Sequence, residues 1–167
     1  IVDAAFTNVS AFAEIESDTN NGIMNLTGGP LMIAAGIDLV TGGSAADIIN
    51  LSGITAATAV TIVAGNGANV ITGGAGIDTI TTGTGDDSIT GGKGADIIVG
   101  GNGDDTYIFA STGALNGIDV LAANIVVADD RLDFRAFITD TIVKGAGFAS
   151  AAIEHNAGAN IDVTNNV

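Results

Sequence analysis

The chain has no cysteine and no tryptophan, a single proline, tyrosine and histidine, and only four basic residues among 167. Without cysteine there is neither a disulfide framework nor a thiolate nucleophile, and the lone His155 leaves no imidazole pair for catalysis or for a zinc site of the HExxH kind. His155 lies in a polar Ala/Asn/Gly tail and reads as a surface residue. Aromatic residues make up only 4% of the chain against 47% hydrophobic overall, so a core has to be built in thin layers from Ala, Val, Ile and Leu. Four basic residues against 19 acidic ones give a formal charge of −15, which excludes nucleic acid and anionic membrane surfaces as natural partners and favours cations. The longest weakly polar run, Ile54 to Gly65, is interrupted by threonine and is too short for the roughly 20 residues a spanning helix needs, so no direct membrane insertion is expected. The chain starts at Ile1, and no basic segment followed by an apolar one marks an N-terminal signal peptide. No glycine-rich loop leads into a Lys-Ser/Thr helix, so nucleotide binding has no support. One domain is expected from the length.

What the chain does have is 25 glycines, many of them in phase. Gly73–Thr81, Thr82–Thr90, Gly91–Val99 and Gly100–Ile108 are successive nine-residue words, an internal period that outranks other signals. Their second position is Gly74, Gly83, Gly92 and Gly101, and their fourth is Gly76, Gly85, Gly94 and Gly103. Their sixth is Asp78, Asp87, Asp96 and Asp105, and their eighth is Ile80, Ile89, Ile98 and Tyr107. A flexible glycine-rich linker would share this composition but not hold it in register.

Each position has a physical task. Alternate glycines permit positive φ and let carbonyl oxygens converge where a Cβ would obstruct them. The aspartate adds a carboxylate, and Ca²⁺ accepts six to eight such hard oxygens in a tolerant geometry. In the extended triplet that follows, only the middle side chain faces inward, while neighbours such as Thr79 and Thr81 face out. Each word is a half-turn, and two successive words make one coil. Between Gly73 and Ile108 there are six carboxylates against Lys93 alone, and stacking them about 4.8 Å apart without a cation would be repulsive. Asp86 and Asp104, at position five, are expected to be solvated or in an outer shell.

These words resemble GGxGxDxUx, the calcium-binding nonapeptide of the repeats-in-toxin (RTX) family. The resemblance implies an all-β fold, a parallel β-roll with two short strands to each two-word turn and capping strands at both ends. It also implies that alternate turns share calcium ions along one edge, so several ions are expected. On this sequence Asp78 would face Asp96, with carbonyls of Gly73, Ala75, Gly92 and Gly94 completing the shell. Asp87 would likewise face Asp105, with Thr82, Thr84, Gly101 and Gly103.

Upstream the word decays. Ala64–Thr72 carries Asn69 in place of Asp, so a site shared with Asp87 is expected to be weaker. Thr55–Val63 has Val60 at the ligand position and should leave that corner dry. The phase breaks over Leu51 to Ile54, before which Ile33–Thr41 and Gly42–Asn50 retain Asp38 and Asp47 as candidate ligands. The expected organisation is therefore N-terminal capping strands in residues 1–32, a roll over 33–109 and a C-terminal cap over 110–167, with 33–50 and 55–72 degenerate and 73–108 regular.

The caps follow from the need to cover open strand edges. Phe6–Ile15 and Gly22–Leu26 read as strands, and "FTNVSAFAEI" is similar to a strand that precedes repeats in bacterial surface-layer proteins. "GIDVLA…ADDRLDFRAF" resembles the segment that follows many RTX rolls, at Asp119, Asp130, Leu132, Asp133 and Phe137. Phe148 to Glu154 reads as a short helix with Ser150 as N-cap, and the tail from Asn156 as a last strand. The tail lacks the acidic residue followed by several hydrophobics that ends type I secreted family members. The functional expectation is a non-enzymatic, calcium-binding structural domain of an extracellular bacterial surface protein: a surface layer, adhesin or filament. Its partners would be calcium ions, neighbouring domains or copies of itself. The alternative is the C-terminal secretion and folding domain of an exported hydrolase such as a protease or lipase, and a polysaccharide-binding module lacks the basic or aromatic strip it would need.

Overall fold

The computed structural model describes residues 14–16 and 22–108, together with five short strands further on at 120–121, 131–134, 141–143, 152–155 and 160–162. Strands alternate between two parallel sheets. One contains β1 (Glu14–Glu16), β3 (Leu39–Thr41), β5 (Thr61–Gly65), β7 (Thr79–Thr82), β9 (Ile97–Val99) and β11 (Val120–Leu121), in that order. The other runs through β2 (Asn25–Thr27), β4 (Ile48–Asn50), β6 (Val70–Thr72), β8 (Ser88–Thr90), β10 (Thr106–Ile108), β12 (Arg131–Phe134) and β14 (Ala152–His155). Each strand pairs with the one two places on, which is the parallel β-roll expected from the repeats. β13 (Thr141–Val143) and β15 (Asn160–Asp162) pair with each other in a further two-stranded parallel sheet.

The register follows from the nine-residue word. Ile62, Ile80 and Ile98 stack in one sheet, and Ile71, Ile89 and Tyr107 in the other, each two words along the chain from the next. All six are at most 2% exposed, so the core is built on a double column of these side chains, with Ala64 and Thr82 buried beside it in β5 and β7. That explains how few aromatics suffice. Across the break in phase the offset widens beyond two words, pairing Val40 with Ile62 and Ile49 with Ile71. The inserted segment Leu51 to Ile54 is packed rather than looped out, because Leu51 and Ile54 are both buried in the same core. Leu51 and Met32 converge over Gly28, where any Cβ would meet both side chains.

Met32 belongs to α1 (Pro30–Ala34), a single turn of helix absent from the sequence reading. Its signal was Pro30, the one proline of the chain, at the first helical turn, where a missing N–H costs nothing. The stack also begins earlier than Ile33, since β1 and β2 pair in parallel with β3 and β4. Within the expected N-terminal strands only the segments 14–16 and 22–26 fall among the described residues, and β2 is centred on Leu26 rather than ending there. At the other end Ala152–His155 is strand, not the helix expected over Phe148 to Glu154, because it lies in register against β12 with Ile153 opposite Leu132. A ladder of backbone bonds outweighs a weak local preference for helix. Ser150 and Phe137 lie outside the described residues.

Candidate metal sites at the corners of the roll

Each strand of the roll is entered through a corner whose last residue is position six of the word. Asp47, Asn69, Asp87 and Asp105 precede β4, β6, β8 and β10 along one edge, while Asp38, Val60, Asp78 and Asp96 precede β3, β5, β7 and β9 along the other. Asp47, Asp78, Asp87, Asp96, Asp105 and Asn69 are at most 2% exposed, although carboxylates and amides ordinarily seek water. What holds them inward is a ladder of hydrogen bonds. The Asp78 N–H donates to Asp96 Oδ1 (2.8 Å) and the Val60 N–H to Asp78 Oδ1 (2.8 Å). On the opposite edge Asp87 donates to Asp105 Oδ1 (3.0 Å), Asn69 to Asp87 Oδ1 (2.8 Å), Asp47 to Asn69 Oδ1 (2.9 Å) and Met24 to Asp47 Oδ1 (2.7 Å). Thus the pairs expected to face each other, Asp78 with Asp96 and Asp87 with Asp105, are brought together by a contact that sequence reasoning missed.

The second carboxylate oxygens divide the corners. Asp78 Oδ2 accepts the N–H of Gly74 in its own loop (2.7 Å), and Asp47 Oδ2 that of Gly43 (3.1 Å). Oδ2 of Asp87 is buried with no hydrogen bond, although the residue is held through Oδ1. A buried anionic oxygen in this state is costly unless a cation meets it. Burial lifts the carboxyls of Asp78 and Asp87 above the ordinary carboxylate value, against the opposing pull of backbone N–H bonds from Gly74 and Val60 in one case and Asn69 in the other.

The loops that face these carboxylates are close-packed backbone. Gly92 (φ 111°) and Gly94 (φ 127°) sit in the left-handed region, and a Cβ on either would strike the carbonyl of Gly74 or Gly76 one coil below. Gly101 and Gly103 repeat the arrangement over the carbonyls of Gly83 and Gly85. Not every glycine of the word is there for positive φ. Gly76 and Gly83 are absent from that region and are required instead for close approach to the carbonyls of Thr58 and Gly65. Gly73 is likewise bounded by the Gly91 carbonyl and Asp78 Oδ2, so a side chain there would fill the space between carbonyl and carboxylate.

Several of the named carbonyl donors also serve the backbone ladder. The Thr84 carbonyl accepts the Gly67 N–H (2.7 Å), which leaves one lone pair for another partner. Thr82, where glycine stands in the other words, turns its buried hydroxyl onto the Gly100 carbonyl. Ala75 lies half-buried in its loop. Asp38 does not join the buried row. Its side chain is exposed, and the residue above it is Val60, which has no oxygen to cap an amide. Asp86 and Asp104 are exposed as expected, and the Asp104 N–H donates to Asp86 Oδ1 (3.0 Å).

Among the described residues no three His, Cys, Asp or Glu side chains converge on a point. A soft or borderline metal that needs such a cluster is not served, whereas a hard cation that takes backbone carbonyls with one carboxylate from each turn is. The orphaned buried oxygen of Asp87, crowded carbonyls and glycine cradles together fit Ca²⁺. Fold and corners define the class as a calcium-binding parallel β-roll. Comparison with protein-family models places the RTX calcium-binding nonapeptide repeat, in four copies, on residues 34–53, 61–80 and 72–107. Over these residues the chain carries RTX calcium-binding nonapeptide repeats. No curated protein and no solved structure matches it.

Proposed function

We propose that this chain is a non-enzymatic structural domain of a secreted bacterial surface protein, of surface-layer, adhesin or filament type, which folds on binding calcium after export. The coils over 33–109 are its working part, and the flanks 1–32, whose β1 and β2 extend the stack, and 110–167 act as caps or as junctions with neighbouring domains or copies. The principal sites are Asp78 and Asp96 with the carbonyls of Gly73, Ala75, Gly92 and Gly94, and Asp87 and Asp105 with those of Thr82, Thr84, Gly101 and Gly103. Asp47 and Asp38 are subsidiary positions, Asp38 the weaker of the two for being exposed.

The observation that carries this reading is Asp87 Oδ2, a buried carboxylate oxygen with no hydrogen bond. Calcium would supply the positive charge that lets buried carboxylates and carbonyl dipoles share one corner. The chain's own part is to hold one carboxylate per turn inward through Oδ1 and to keep the loops free of Cβ atoms. In a calcium-poor cytoplasm the acidic loops repel and the chain stays open for threading through an export channel. Outside, a tenfold excess over the dissociation constant adds about 1.4 kcal/mol per site, and coils that share ligands add these gains cooperatively. No helix among the described residues is long and apolar enough to cross a membrane.

The test is circular dichroism of the full chain during EGTA titration. The β signal should collapse as free calcium falls and return on readdition. Persistence of the full signal without calcium would sink the proposal.

A further inference from the structure

One corner of the roll already contains its own cation substitute. Asn69 is 1% exposed, and three of the four hydrogen-bonding directions of its amide are used. Both Nδ2 hydrogens and one of the two Oδ1 lone pairs are engaged: Oδ1 accepts the Asp47 N–H (2.9 Å), and Nδ2 donates to the carbonyls of Gly65 (3.2 Å) and Gly67 (2.9 Å). The opposite amide orientation would set nitrogen against an N–H and oxygen against two carbonyls, so the network fixes which atom is which. Gly65 and Gly67 are positions two and four of the Asn69 loop, as Gly83 and Gly85 are for Asp87. In Asp87 the atom isosteric with Nδ2 is Oδ2, buried without a hydrogen bond. The same space thus holds a donor in one coil and an anionic acceptor in the next.

We propose that the Asn69 amide takes the place of a calcium ion in its own loop, closing that corner without metal. The weaker calcium site expected there is then no site at all as far as the Gly65 and Gly67 carbonyls are concerned. The coil from Asp47 to Thr72 becomes a calcium-independent step, on which the acidic coils from Asp78 onward are built. Only the contrast with those later coils rests on the function proposed above; the clamp itself does not.

Hydrogen exchange read by mass spectrometry on the full chain, in calcium and in EGTA, tests the clamp, together with a count of bound calcium. Residues 44–72 should keep measurable protection in EGTA. Asn69→Ala should reduce it by about tenfold, the scale of one net hydrogen bond. Asn69→Asp should lose it in EGTA, regain it in calcium and bind one calcium ion more than the wild-type chain. The proposal is overturned if wild-type 44–72 exchanges freely in EGTA, if Asn69→Ala leaves protection unchanged, or if Asn69→Asp gains no ion. Calcium-independent protection over 78–108 would instead defeat the calcium reading of the later corners, and the Asn69→Ala arm would still decide this one.

Discussion

A single carboxylate oxygen separates the kinds of corner in this roll, and substitutions at position six should expose the difference. Replacing Asp87 by Asn gives that loop the same donor as Asn69, now aimed at the carbonyls of Gly83 and Gly85. The expected outcome is a chain that binds one calcium ion fewer yet needs less calcium to fold, measured by ion counting and by the midpoint of an EGTA titration. At Gly92 the constraint is steric. Gly92→Ala places a Cβ at φ 111° against the Gly74 carbonyl and should cost at least about 1–3 kcal/mol in a denaturant melt at saturating calcium. The aspartates were legible in the sequence because they recur in phase, whereas their burial was not, since it depends on the amides of the preceding coil. What the Asn69 side chain does was not legible, because its role depends on carbonyls that point at it only once the loop has turned.

At the scale of the strand, three residues are too few to be stable alone, and each depends on its neighbours above and below. Ile80 is fully buried between Ile62 and Ile98, so Ile80→Ala removes the contact of two coils at once. The expected loss is about 2–5 kcal/mol, read from denaturant unfolding with calcium present, whereas the same change at the exposed Ile77 should be close to neutral. Strand positions were readable because one inward residue per nine leaves little freedom in register. α1 and the buried Leu51–Ile54 insertion were not, since a break in period announces an irregularity without saying whether it packs. Ala152–His155 shows the same limit from the other side. Its residues carry no strong strand signal, and it is the neighbouring β12 that makes them a strand.

For the whole molecule, charge and calcium work against each other in a way that pH should reveal. The carboxyls of Asp78 and Asp87 are lifted above their ordinary value by burial, so between that value and the raised one the folded chain holds protons that the unfolded chain has released. Stability without calcium is therefore greatest below the ordinary carboxylate range and declines as pH rises through the raised values. In buffer stripped of calcium beforehand, with no chelator present, moving from pH 7 to about 4 should strengthen the β signal, while in calcium the same acidification should weaken apparent metal affinity because protons compete for the same oxygens. Opposite slopes in the two titrations, followed by circular dichroism, are the expected result. Parallel slopes would mean that these two carboxylates do not dominate the balance.

The ladder of position-six side chains has a direction. Every Oδ1 reaches toward the N-terminus and satisfies an amide of the coil before it, never the coil after. A partly assembled roll is thus asymmetric at its two ends: its leading face presents bare amides that the next stretch of polypeptide completes, and its trailing face presents none from this row. Growth by templated addition accordingly has a preferred heading, from Met24 toward Asp105, written into the covalent order of the chain.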